Sequence, residues 1–212
     1  NYFLIEFDAN NKLFVSANDG SGGEDLSLIT SRSFKDTSKF YHIVVAFDTT
    51  QSTSSDRVKI YVDGDQITSF STETYPSQDY DTNVNHTVEA VVGNYTTTGY
   101  AFDGYIAEFN LVDGTALTPS TFGLTDTSTG RWIPKSLTGI TYGTNGLRLQ
   151  FANTAGQTIG DDTSGNGNDL TVTNLDAADI TTDSPTQNHA TIGENGFSST
   201  SEGNLKAEGS VS

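Results

Sequence analysis

Tyr41-His42-Ile43-Val44-Val45-Ala46-Phe47-Asp48, followed by Asp56-Arg57-Val58-Lys59-Ile60-Tyr61-Val62-Asp63-Gly64-Asp65-Gln66-Ile67, decides the fold. Ile43, Val45 and Phe47 fall on one face of an extended segment. Val58, Ile60 and Val62 fall on one face of the next, with Arg57, Lys59, Tyr61 and Asp63 on the other. A strand with one buried face requires that alternation. Asp63-Gly64 can reach the positive φ values of a tight two-residue hairpin. The pair therefore predicts two strands and a turn that sends the chain back at Gln66.

Outward from there, strands are predicted at Tyr2–Phe7, Lys12–Ala17, Asp25–Ile29, Gln66–Phe70, Thr87–Val92 and Tyr105–Val112. Asn10-Asn11, Asn18-Asp19-Gly20, Gly22-Gly23, Gly93-Asn94 and Asp113-Gly114 separate them. Many short strands with little helical periodicity point to an all-β, antiparallel jelly-roll β-sandwich. Thr118-Pro119 can start one helical turn, because proline suits the first helical position. The texture changes after Gly123: Gly123 to Gly143 offers no good strand. Leu147–Phe151 and Leu170–Val172 then read as a hairpin docking on the sandwich. The expected organisation is a sandwich over 1–123, an irregular segment plus hairpin over 124–190, and an extended linker or arm over 191–212, where Thr, Asp and Gly crowd out bulky residues.

Composition narrows the function. The chain of 212 residues has 10 Lys plus Arg against 27 Asp plus Glu, a formal charge of −17. Such a surface repels phosphate backbones and anionic lipid, so nucleic acid is a poor partner. No apolar run approaches the roughly 18 residues of a membrane span, so no membrane insertion is expected. Cysteine is absent, which removes disulfides, thiolate metal sites and cysteine nucleophiles. With no Met and Asn1 inside an apparent strand, the chain reads as a fragment or a processed product.

Three segments then carry a resemblance. Tyr41–Asp48 is similar to the "W-H-H-V-A-x-x-x-D" strand of concanavalin A-like, laminin-G-like domains. Arg57–Gly64 resembles their "R-x-x-x-Y-V-D-G" strand and hairpin. Val92-Gly93-Asn94 through Phe102-Asp103-Gly104-Tyr105-Ile106-Ala107-Glu108-Phe109 resembles their "I-G … F-D-G-x-I-D-E" segment. A narrower likeness, to laminin-G-like domains in virion proteins of marine bacteriophages, rests on Asp48–Gln51, Tyr75–Gln78, Asp113–Pro119, Tyr142–Gly146 and Asp162–Asn168. The resemblance implies a non-enzymatic virion surface protein, a head or tail fibre or decoration module. Its expected partners are other virion proteins, further copies of itself in a homo-oligomer such as a trimer, and host-surface glycans. A purely structural capsid or tail decoration protein, a secreted bacterial lectin-like adhesin and a degraded glycosidase are the alternatives.

Candidate sites follow from residue chemistry. Sugars need an aromatic face beside fixed polar groups, and Tyr75, Tyr80, Tyr95 and Tyr100 stand in Asn-, Asp- and Thr-rich loops. Asp161, Asp162, Ser164, Asn166 and Asn168 set oxygen ligands around Gly165 and Gly167 and partly match a calcium loop. The closing acid is missing, since Thr173 stands where it belongs, and the same residues make turns without any metal. Asp19, Glu24 and Asp25 are a second acidic group. Trp132, the lone tryptophan, is read as the anchor of the irregular segment on the sandwich. No catalytic constellation is legible: the E-x-D-x-x-E strand of laminarinase-type relatives is absent, and Glu108 and Asp113 do not replace it.

Overall fold

The computed structural model describes residues 2–20, 22–82, 84, 90–94, 101–152, 154–186, 199–201 and 206–208. In chain order the strands are β1 (Tyr2–Phe7), β2 (Lys12–Asn18), β3 (Leu26–Ser33), β4 (Ile43–Phe47), β5 (Val58–Val62), β6 (Asp65–Gln66), β7 (Phe70–Thr74), β8 (Phe109–Leu111), β9 (Gly123–Thr125), β10 (Trp132–Pro134), β11 (Leu147–Leu149), β12 (Ser199–Ser201) and β13 (Lys206–Glu208). One helical turn, Ser54–Arg57, leads into β5, and short 3-10 turns occupy Pro119–Thr121 and Ala177–Asp179. Every strand pairing is antiparallel.

The chain divides into two compact units. The first holds 1–36, 41–92 and 115–138; the second holds 37–40, 93–114 and 139–212.

The first unit is the sandwich. Its larger sheet runs β1-β2-β3-β7 and its smaller sheet β4-β5-β6. The chain leaves the larger sheet after β3, traverses the smaller one and returns to pair β7 with β3. That exchange between layers is the jelly-roll character expected from the spacing of the strands. Leu13, Val15, Ala17, Leu26 and Leu28 of the larger sheet meet Val58, Ile60 and Val62 of the smaller, with Phe34 joining them, and all are buried. Each of the valine, leucine, isoleucine and phenylalanine side chains contributes about 1.5–3 kcal/mol by leaving water. Phe3, Phe7, Ile43, Val45, Phe47, Ile67, Phe70, Tyr75 and Tyr80 surround that core, partly buried.

Local chemistry holds the strands in register. Asp63 and Gly64 take φ of 54° and 88°, and Val62 pairs with Asp65 across them. This is the two-residue hairpin read from the sequence. Where the β2–β3 register shifts between Lys12 and Phe14, the buried Thr30 hydroxyl accepts from the Leu13 amide at 3.1 Å and donates to the Arg32 carbonyl at 2.7 Å. Arg57 donates to the carbonyls of Gln51, Ser52 and Pro76, pinning the loop beside the β5 entry.

Several expectations need correction. The predicted strand at Gln66–Phe70 straddles the gap between β6 and β7. The polar β7, Ser71-Thr72-Glu73-Thr74, shows no alternation because those four residues are all exposed. Tyr105–Val112 shortens to β8, and Ala90–Val92, the described end of Thr87–Val92, is not a strand. Residues 123–143, read as strandless, contain the β9–β10 hairpin. Leu147–Leu149 does not pair with Leu170–Val172. In the second unit it pairs with β8, Leu147 opposite Leu111 and Leu149 opposite Phe109, because those buried leucines complete a shared apolar strip. Leu170–Val172 is held instead by the Leu170 amide on the Gly160 carbonyl at 2.9 Å.

Candidate functional site

The rim of the sandwich places two of the four tyrosines. Tyr80 lies half-buried against the core, and its hydroxyl donates to Asp25 Oδ2 at 3.1 Å. The same carboxylate oxygen accepts from the Asp19 amide at 2.9 Å. The Tyr80 carbonyl takes a hydrogen bond from the Thr49 hydroxyl at 3.0 Å. Burial, then the Asp25 hydrogen bond and the nearby charges of Asp25, Asp19 and Asp81, push the Tyr80 phenol up to about 12. Tyr75 is similar: burial, then Glu73, whose carboxylate its hydroxyl meets at 3.0 Å, push it up to about 12. Both rings thus stay protonated donors at neutral pH, held in one orientation. Tyr95 and Tyr100 lie outside the described residues.

Asp19 and Asp25 meet through that hydrogen bond, and Glu24 accepts a long bond from the Tyr2 hydroxyl at 3.5 Å. Among the described residues, no group of three acids or histidines comes close enough to hold a metal ion.

In the second unit the Asp161–Asp169 loop is tied by its own donors. Asp162 Oδ1 accepts from the Arg148 and Ser164 amides, both at 2.8 Å. Its Oδ2 accepts from the Ser164 hydroxyl at 2.8 Å and the Asn168 amide at 3.0 Å. Burial pushes this carboxyl up, but the backbone N–H bonds together with Ser164 outweigh it and hold it below the usual range. Asp161 turns away to Thr158. Asn166 spends its amide on the Gly143 and Gly146 carbonyls, and Asn168 on those of Thr144 and Gly146. Of the five residues read as metal ligands, Asn166 and Asn168 knit the loop to the 143–146 turn, Asp162 and Ser164 close the loop on itself, and Asp161 holds Thr158. A shallow cleft of 610 Å³ opens there, lined by Ile140, Thr141, Tyr142, Gly143, Thr144, Ser164 and Asn166. Its floor is occupied, since the buried Tyr142 hydroxyl donates to Asn110 Oδ1 at 2.7 Å.

The acid nearest to a catalytic reading is also engaged. Glu108 takes two hydrogen bonds from Arg148, Nε to Oε2 at 3.1 Å and a terminal nitrogen to Oε1 at 2.9 Å. A bidentate clamp of this kind orients a carboxylate firmly. Retaining glycosidases need a pair of carboxyls about 5–5.5 Å apart, whereas Glu108 is engaged by a guanidinium.

Trp132 anchors its segment on the sandwich, as read from the sequence, through a partner that the sequence did not disclose. Trp132 Nε1 donates to His42 Nδ1 at 3.0 Å, so a neutral His42 carries its proton on Nε2. The two rings lie 5.8 Å apart, and Phe122 stands 6.4 Å from His42. The indole covers Gly64 of the hairpin and Gly123 of β9, where an added Cβ would come within 2.5 and 2.6 Å of it. Asp63 closes the other side: the His42 amide donates to Asp63 Oδ1 at 2.9 Å and the Asp63 amide to the His42 carbonyl at 2.8 Å. The flanking Asp-Gly turn was visible in the sequence; the 90-residue separation of the ring pair was not.

A laminin G family model, described as the concanavalin A-like lectin/glucanases superfamily, matches residues 1–121. The chain belongs to that superfamily. The match covers the two-sheet antiparallel sandwich and its Asp63-Gly64 hairpin, and the fold is the concanavalin A-like jelly roll. No curated protein and no solved structure matches the chain.

Proposed function

We propose that this concanavalin A-like domain is a non-enzymatic recognition and display module that binds neutral glycans at the sandwich rim. The family match over residues 1–121 carries the reading, because a lectin-type sandwich is a scaffold for sugar-binding loops. Tyr80 with Asp25 sets an aromatic ring beside a carboxylate held in fixed geometry, the pairing of groups that sugar binding draws on. Asp19, Asp81 and a chain charge of −17 repel uronic and sialic acids, which favours uncharged sugars. The clamp on Glu108 supports binding without cleavage. The likeness of Asp113–Pro119 and Asp162–Asn168 to laminin-G-like domains of marine bacteriophage virion proteins supports a place on a virus particle, among other virion proteins.

A glycan array tests the rim. Binding to neutral oligosaccharides is expected, reduced at least tenfold by Tyr80→Ala with the β circular dichroism unchanged. Equal binding by the variant removes the rim from the account. Mass spectrometry of purified virions that carry this sequence tests the location, and its absence from the particles overturns the virion reading.

A further inference from the structure

Among the described residues, β9 and β10 pair with each other in a two-stranded sheet of their own, apart from both layers of the sandwich. Each is three residues long. A lone hairpin of that size is marginal at best in water, so its place depends on what docks it. Its own ties are local. The Thr121 amide donates to the Thr118 carbonyl and the Lys135 amide to the Phe122 carbonyl, both at 3.0 Å. The Asp126 carboxylate gathers the Ser128 and Thr129 hydroxyls, and Lys135 Nζ donates to the Ser120 carbonyl. Among the described residues, the segment 118–135 makes one hydrogen bond outside itself, from Trp132 Nε1 to His42 Nδ1. The docking face carries the indole over Gly64 and Gly123, whereas Leu124 on β9 is 44% exposed.

The acceptor of that single bond is titratable, and its own position is fixed. The His42 amide donates to Asp63 Oδ1, and the Asp63 amide donates to the His42 carbonyl. Protonation puts an N–H on both ring nitrogens, so an imidazolium offers the indole a donor in either orientation of the ring. Two donors then face each other across 3.0 Å. Backbone bonds hold His42 beside Asp63, so the group free to leave is the indole with its hairpin.

The charge that acts on His42 is that of Asp63 on the turn. Tyr61 and Lys59 follow on the same face of β5, and Lys59 is paired with Asp56 at 3.0 Å. Asp65 lies exposed beyond the turn. From the hairpin come Asp126, Arg131 and Lys135; Arg131 acts on Asp126, and Lys135 is held by Ser120. Pro119–Phe122 and β9 carry no charge. Burial outweighs Asp63 and holds the imidazole below the ordinary histidine value. The docking bond is therefore complete above about pH 6.5 and is lost as pH falls through the folded value.

We propose that the Trp132–His42 bond is an acid-released latch: protonation of His42 frees the β9–β10 hairpin while the two-sheet sandwich stays folded. The interlayer core contains neither ring, so it keeps its packing when the hairpin lifts. Release uncovers His42, Phe122 and the Asp63-Gly64 turn. The latch does not depend on the glycan reading.

Fluorescence of the single tryptophan in the full chain tests it. Between about pH 7.5 and about pH 4, the Trp132 emission is expected to move to that of a solvent-exposed indole in one reversible, one-proton step, with a midpoint below about 6.5 and the far-ultraviolet β spectrum unchanged. His42→Asn sets a side-chain oxygen near the place of Nδ1 and cannot titrate, so its emission should stay that of the docked indole throughout. On the unaltered chain, the nuclear magnetic resonance signals of the indole N–H and of the His42 ring should titrate with one midpoint. An indole that ignores the His42 titration, a step that persists in the asparagine variant and so belongs to carboxylates such as Asp63, or a β spectrum lost together with the docked indole each overturns the proposal.

Discussion

His42 is a histidine kept as an acceptor. Burial pushes its pKa below the ordinary value, against the smaller upward pull of Asp63, and the Trp132 indole donates to the nitrogen that protonation would fill. Its folded pKa thus lies below the unfolded value of about 6.5. The unfolded chain then binds the proton first, so His42 adds stability that is complete above about pH 6.5 and is lost as pH falls through the folded pKa. Thermal melts followed by the single tryptophan should show the midpoint falling from pH 7.5 to pH 5.5. His42→Gln should flatten that slope, and a slope unchanged in the variant would assign the effect to other groups. The same pair explains how Trp132 fastens its hairpin: an indole over two glycines and one ring-to-ring hydrogen bond.

At the scale of elements, the Asp63-Gly64 turn couples two hairpins, because the room beside Gly64 is filled by the indole rather than by solvent. Gly64→Ala meets both a positive φ of 88° and the Trp132 ring. Gly114→Ala meets a φ of 84° with open space around it. Backbone strain alone costs about 1–2 kcal/mol, and overpacking adds about 1–3 kcal/mol. Chemical denaturation should therefore find Gly64→Ala the more destabilised of the two by at least about 1 kcal/mol; equal losses would mean that the indole moves aside freely.

Legibility followed the strength of the pattern. β1, β2, β4 and β5 could be read because each puts bulky residues on alternate positions against one core. β7 could not, since Ser71-Thr72-Glu73-Thr74 is exposed throughout and its pairing with β3 is set by the tertiary return of the chain. β9 and β10 are three residues each and include Gly123 and Pro134, which read as breakers. Leu170–Val172 had a strand's composition but no strand to pair with. Of the candidate site, the oxygen-rich Asp161–Asn168 loop was visible, but sequence cannot say whether such oxygens face a cation or their own backbone. Here the Asp162 carboxylate takes four protein donors, all from Arg148, Ser164 and Asn168.

For the whole molecule, a strongly acidic chain without cysteine places its stability in an apolar interlayer, and the proposed function belongs to the loops around it. The superfamily contains both lectins and glucanases, so the separation of binding from cleavage is the claim on which the account turns. Isothermal titration of the rim-bound oligosaccharide, followed by mass spectrometry of the sugar recovered after prolonged incubation, addresses it directly. The account predicts saturable binding and a sugar returned intact. Shortened fragments in the recovered sugar, or no heat with any neutral glycan, would contradict it.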